Sequence, residues 1–298
     1  MESAVGRVDT SWPSKLTLTA RTLCLGVALV VFGLAHMYGY GPLAKALATV
    51  VAVSLIVLAC RGRGGALAWI TLVVGLMGFL ELRALADDVG MPLHTEDIRR
   101  LEELVFFGAF PSLELQRLFF VPGQLSLIDR ASAIVYWSYF FAPYFAVLWV
   151  WLVRPGQIHE LAHLLVLTFA AGLAIYALMP GTPPWLASAQ EGAPQIYRIM
   201  SMVGSSLDAA TYEQVYRSIG DPNPVACLPS VHFAITFMLL LYGFSWGRAW
   251  VASGTAYSLA MLWALVYLGE HYVVDCVFGA VVAWAVWYGY RVVPRRGN

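Results

Sequence analysis

The sequence predicts an all-α, polytopic membrane protein of about eight transmembrane helices, and three observations carry that expectation. Its composition is 60% hydrophobic and only 12% charged, about half the charged share of a soluble domain. Mean hydropathy is +0.70. The apolar residues also fall into separate runs, each near the roughly 17–25 residues a helix needs to cross a bilayer.

Those runs lie at about 18–35, 44–60, 65–84, 133–153, 161–179, 232–246, 249–267 and 272–290. The sixth is short and reaches spanning length when Val231 and its neighbours are included. A net charge of zero gives no reason to expect nucleic acid as a partner. There is no glycine-rich nucleotide loop, so no use of ATP is expected. Cys24, Cys60, Cys227 and Cys276 show no paired spacing, and no disulfide framework is visible.

Orientation follows from the arginines and lysines. With eight spans, Arg7, Lys15, Arg21, Arg61, Arg63, Arg154, Arg248, Arg291, Arg295 and Arg296 share one side with the acids Glu2, Asp9 and Glu160. The positive-inside rule assigns that side to the cytoplasm. Two long loops, about 85–132 and 180–231, are then extracytoplasmic. In the first, Thr95 is a plausible N-cap with acids in the following turn. Ile98, Leu101, Leu104 and Val105 share a face of that helix, which predicts an amphipathic helix on the membrane surface or, alternatively, a packed lid.

Two motifs carry the chemistry. Pro229-Ser230-Val231-His232 opens the sixth run, where proline and serine suit a helix start and the exposed N–H groups favour a phosphate. Gly269-Glu270-His271-Tyr272-Val273-Val274-Asp275 enters the last run. His271 and Asp275 are four apart and share a helical face. A carboxylate that holds one imidazole nitrogen leaves the other as nucleophile or base. The expected topology puts both motifs at the outer face, an arrangement suited to phosphoryl transfer through a phosphohistidine. A third pattern, His159-Glu160-Leu161-Ala162-His163, has the HExxH form of zinc proteases. Such a site needs a third ligand, and the cytoplasmic side offers only Glu2 and Asp9. This segment reads better as the polar start of the fifth run.

PSVH followed by HYVVD resembles the second and third motifs of the type-2 phosphatidic acid phosphatase superfamily. The likeness is closer to the branch containing fungal inositol phosphorylceramide synthase. Asp129 followed by Tyr136-Trp137-Ser138-Tyr139 and Pro143, and then Pro180-Gly181-Thr182-Pro183-Pro184-Trp185, resemble further elements of that branch. The likeness covers about residues 65–290. It implies a six-helix core over 65–290 with outer loops 85–132 and 180–231. Two helices within 1–64 then lie outside the core, and 291–298 is a basic cytoplasmic tail. The resemblance also implies a metal-independent double displacement without cofactor. In it His271 is the nucleophile, Asp275 its orienting partner and His232 the general acid, then base. Ser230 and nearby N–H groups would hold phosphate oxygens, with Tyr272 also in the substrate-binding set. The superfamily's Lys…Arg-Pro motif and the arginine six residues before the nucleophile are missing; Met179-Pro180 and Leu265 stand near those places. Arg130, Arg198 and Arg217 are candidates to supply the charge. Tyr139 stands where the branch has a histidine.

The expected function is a lipid phosphotransferase of the plasma membrane with its site on the extracytoplasmic side. It would pass a phosphoryl-containing, inositol-phosphate-like group from a phospholipid or polyprenyl phosphate donor to a hydroxyl acceptor. With water as acceptor, the same residues make a lipid-phosphate phosphatase. Two other classes stay open: an intramembrane zinc protease using the HELAH segment, and a non-catalytic lipid-binding or transport protein. Ionisable groups are almost absent from spans one, two, four, six and seven, which speaks against ion-coupled transport.

Overall fold

The computed structural model describes residues 17–37, 42–61, 64–83, 90–189, 195–219 and 225–292. Their regular elements are helical, and the extended pairings are isolated bridges, Val121 with Gln124 and Gly181 with Ala226. Among the described residues five helices are long and apolar enough to cross a membrane, six if one bent pair counts as a single span. Two shorter apolar helices, Leu47–Cys60 and Val231–Trp246, coincide with the remaining runs of the sequence.

The chain divides into two compact units, Met1–Ala66 and Leu67–Asn298. In the first, α1 (Leu18–Met37) packs on α2 (Pro42–Cys60). Arg21 is buried there, and its Nη1 donates to the carbonyls of Ala59 at 2.6 Å and Arg61 at 2.7 Å. The carbonyls at a helix end lack partners within the helix, and a cation also suits the negative end of the dipole.

The second unit holds α3 (Ala66–Arg83), α4 (Thr95–Val105), α5 (Pro111–Phe119), α6 (Leu127–Ser138), α7 (Ala142–Val153), α8 (Ile158–Leu178), α9 (Pro184–Ala187), α10 (Ile199–Ile219), α11 (Val231–Gly243), α12 (Arg248–Tyr267) and α13 (Val273–Val292). At its centre α11 packs against α8, α12 and α13. Two glycines permit the approach. A β-carbon on Gly172 of α8 would overlap the Val231 side chain, and one on Gly279 of α13 would overlap the Ser230 carbonyl oxygen.

The fourth run does not form one straight helix. It breaks into α6 and α7, bent by 54°. Pro143 sits in the first turn of α7, and its ring cannot coexist with a helical bond to the carbonyl four residues back, that of Tyr139. Through the break the amides of Tyr139, Phe140 and Phe141 bond three residues back instead of four, to Tyr136, Trp137 and Ser138. Beneath it, Ser126 and Asp129 form a reciprocal capping box at the start of α6. The buried Asp129 also accepts a hydrogen bond from the Tyr267 hydroxyl.

The amphipathic stretch does form a helix, α4, with Leu104 and Val105 exposed. Ile98 and Glu102, however, are buried against the rest of the unit. His94, not Thr95, occupies the N-cap position. Thr95 Oγ1 instead accepts the Thr182 N–H at 3.0 Å, which ties α4 to the Pro-Gly-Thr-Pro-Pro-Trp segment. On the solvent side Arg99 and Arg100 hold the exposed Glu96 carboxyl down at about 2.

Gly279→Ala is expected to push α11 from α13 and to cost about 1–3 kcal/mol, read as a lower Tm in detergent. Gly289→Ala, on the same helix with nothing within 4 Å, should leave the Tm unchanged. Equal Tm values for the two variants would show that the close approach at Ser230 does not hold this packing.

Candidate active site

The site begins at the turn between α12 and α13. Gly269 has φ +78°, a conformation suited to glycine, and its carbonyl accepts the Trp185 N–H at 3.2 Å. The amides of Glu270 and His271 both donate to the Leu265 carbonyl, at 3.0 and 3.1 Å. His271 is thereby fixed before α13 begins. One turn on, Asp275 is fully buried. Its Oδ2 accepts the Tyr272 N–H at 2.9 Å and the Cys227 thiol at 2.9 Å, and lies 3.4 Å from His271 Nδ1. The other imidazole nitrogen, Nε2, is 3.3 Å from Nδ1 of His232. Asp275, His271 and His232 thus form a continuous chain. A proton held at Nδ1 by the carboxylate leaves a lone pair at Nε2.

His232 is carried by the first turn of α11. Ser230 caps that helix, its hydroxyl oxygen accepting the Phe233 N–H at 3.3 Å. The Ser230 N–H donates to the Asp275 carbonyl at 2.9 Å, so the two motifs are joined through backbone as well as side chains. The break between α6 and α7 sets aromatic rings around His232, with centroid distances of 4.3 Å to Tyr139, 5.0 Å to Tyr136 and 6.3 Å to Phe140. Tyr139, in the place where the sequence comparison expects a histidine, is the nearest of them. A cavity of about 50 Å³ opens beside His232, walled by apolar and aromatic residues such as Leu76, Phe79 and Tyr144, and with Arg83 in its lining.

A family model for the PAP2 superfamily matches residues 96–289, a stretch that includes both histidines, Asp275 and Cys227. The chain belongs to the PAP2 superfamily. No curated relative and no solved structure matches it. Membership brings with it a phosphatase- or phosphotransferase-type activity.

The substrate-binding residues expected from sequence fare differently in this PAP2 protein. Arg198 is 15% exposed and bound through Nε to Glu270 Oε1 at 2.9 Å. Its guanidinium also lies 4.0 Å from the centre of the Trp185 ring. It therefore braces the turn that carries His271, with its charge matched by Glu270. Arg130 is on the exposed side of α6. The Arg217 side chain lies outside the described residues. Tyr272 is buried with Ile98, Cys227, Leu228 and Val274, and its amide, not its phenol, reaches Asp275. Ser230 is buried, with its oxygen engaged in the helix cap.

Three residues of this neighbourhood were not singled out by sequence. Cys227 is one; burial, with the Asp275 carboxylate beside it, pushes its thiol well above the usual range, which suits a hydrogen-bond donor. Arg83, at the end of an apolar helix, is the cation among the residues lining the cavity. Glu102 is the third: its two carboxylate oxygens accept the N–H groups of Val273 and Val274, each at 3.0 Å. It caps α13 next to His271, and burial pushes its carboxyl upward while the two N–H bonds oppose that shift.

The HELAH segment opens α8. His163 Nδ1 is 3.3 Å from the Tyr290 hydroxyl and Glu160 is 3.5 Å from Arg291. Among the described residues, the cluster of ligand-type atoms lying within 4.8 Å of one another is Cys227, His271 and Asp275, and HELAH has no third ligand of that kind.

Removing the Glu102 cap leaves two N–H groups at the start of α13 unpaired. Glu102→Ala is expected to cost about 1–3 kcal/mol. Glu102→Gln, which keeps one acceptor oxygen, should recover part of that. Thermal unfolding of both variants checks the cap, and an unchanged Tm for the alanine variant would refute it.

Proposed function

We propose that this PAP2 protein is a lipid phosphotransferase acting at the extracytoplasmic face of the plasma membrane through a phosphohistidine. The observation that carries the reading is the chain Asp275–His271–His232 at the edge of a cavity that joins one cation to apolar walls. In the first half-reaction His271 Nε2 attacks phosphorus while Asp275 holds Nδ1–H. The bond from phosphorus to the leaving oxygen breaks, and protonated His232 gives that oxygen its proton. In the second, neutral His232 takes the proton of an acceptor hydroxyl whose oxygen attacks the phosphohistidine. The N–P bond breaks and His271 is restored.

Arg83 and the N–H groups at the start of α11 are assigned to the phosphate oxygens in this scheme. The apolar walls take the first part of the donor's hydrocarbon chain and limit access of water, which favours a hydroxyl acceptor. With water as acceptor the same steps give a lipid-phosphate phosphatase. The proposal includes eight spans, the two short helices α2 and α11 among them, with the basic ends cytoplasmic. It assigns catalysis to residues 65–290 and leaves the two helices within 1–64 outside the core.

The test is turnover of lipid phosphates and phosphoinositides in nanodiscs containing EDTA, scoring free phosphate and transferred product separately. Activity is expected to persist in EDTA and vanish in His271→Ala. His232→Ala and Asp275→Asn should each lose about 10²–10⁴-fold. Arg83→Ala should lose about 10²–10³-fold, with partial return in Arg83→Lys. Activity that needs metal and survives His271→Ala would sink the mechanism, whereas full activity in Arg83→Ala would remove only that assignment.

A further inference from the structure

Cys227 has no part in the double displacement, yet its sulfur lies 2.9 Å from Asp275 Oδ2 and 3.6 Å from His271 Nδ1, and those two atoms are 3.4 Å apart. Thiolate, imidazole and carboxylate are the ligands zinc takes. With the usual metal–ligand lengths, a tetrahedral ion sets its S···N, S···O and N···O edges at about 3.5, 3.5 and 3.3 Å. Two sides of the triangle already have nearly those lengths. The third is short because a thiol proton bridges sulfur and oxygen, and a metal ion would replace that proton. Asp275 Oδ1 is also buried with no hydrogen-bond partner among the described residues, so the carboxylate has coordination capacity to spare.

We propose that Cys227, His271 and Asp275 form a binding site for a thiophilic divalent cation of the zinc class, and that its occupation switches the enzyme off. On binding, the Cys227 thiol loses its proton to solvent and a metal–sulfur bond forms. The His271 Nδ1 proton is transferred by way of solvent to Nε2 as Nδ1 donates its lone pair to the ion. A neutral imidazole bound through Nδ1 carries its proton on Nε2. The atom assigned to attack phosphorus then has no free lone pair. The thiolate and carboxylate together bring two negative charges, which a divalent ion neutralises where unpaired charge is costly. The inhibitory consequence rests on the proposed role of His271, whereas binding itself does not.

Cobalt(II) titration of the purified full chain in nanodiscs separates the two. One equivalent is expected to produce thiolate-to-cobalt charge-transfer absorption with the visible bands of a tetrahedral site. A variant with Cys24, Cys60 and Cys276 all changed to serine should keep the absorption, because it retains only Cys227. Cys227→Ser should lose the charge-transfer band and bind at least about tenfold more weakly. In the lipid assay, zinc is expected to lower turnover at least tenfold, with recovery on EDTA. No band in the wild type, or a band that survives in Cys227→Ser, overturns the site. Turnover that rises with zinc overturns the inhibitory role even if the band is present. Absence of any lipid turnover would count against the proposed function while leaving the spectroscopic result to decide the metal site.

Discussion

A carboxylate with no exposed surface is costly unless its oxygens are hydrogen-bonded, and Asp275 is such a group. Its Oδ2 draws donors from three places: the loop before α11 through Cys227, the turn before α13 through the Tyr272 amide, and the His271 ring. Those bonds pin the relative positions of segments more than forty residues apart. The Ser230 amide, held by the Asp275 carbonyl, adds a fourth tie, and Gly279 gives the backbone room to make it. His232 then follows almost without choice, two residues beyond Ser230 on a helix whose start is fixed. Much of the site is the set of neighbours that one buried carboxylate requires.

Supporting layers behave similarly. Glu102 occupies the first N–H groups of α13, so the helix that follows His271 does not offer its positive end to an anion. At the start of α11 the Ser230 hydroxyl holds the Phe233 N–H, and the proposed phosphate site lies on the His232 side of that turn. Arg198 reinforces the turn from the other flank, between Glu270 and the Trp185 ring. Gln116 joins α5 to the same region, donating to the carbonyls of Tyr197 and Tyr267 and accepting the Tyr197 amide. Each of these polar groups is partly or wholly buried and each has a partner, the condition under which a polar network rigidifies a site.

The sequence made the helices and the two motifs legible because both are local. Apolar length marks a span, and the spacing of His271 and Asp275 places them on one face whatever surrounds them. The meeting of His232 with His271 was open to inference only through topology. What stayed hidden depends on contacts between distant segments. Cys227 reads as a scattered core cysteine until its loop is folded against α13. Glu102 reads as one of several acids on an amphipathic helix, although its burial makes α4 part of the site's support. Arg83 ends an apolar run and looks like a span terminus. The bend between α6 and α7 had a local signal in Pro143, which periodic hydrophobicity alone does not register.

The distribution of charge narrows the chemistry further. Asp275 is the carboxylate on His271, Glu270 and Arg198 match one another's charge, and Glu102 is engaged by the amides of Val273 and Val274. The cavity lining contributes Arg83. A phosphate monoester near neutral pH carries close to two negative charges, and a site with few cations stabilises such a group poorly. A phosphodiester carries one, which a single guanidinium matches. Under the proposed mechanism, in which His271 attacks phosphorus, the charge of the cavity lining suits a donor whose phosphate is already esterified twice, such as a phospholipid headgroup. For the proposed double displacement, this electrostatic ground ranks transfer of a headgroup phosphate above release of inorganic phosphate.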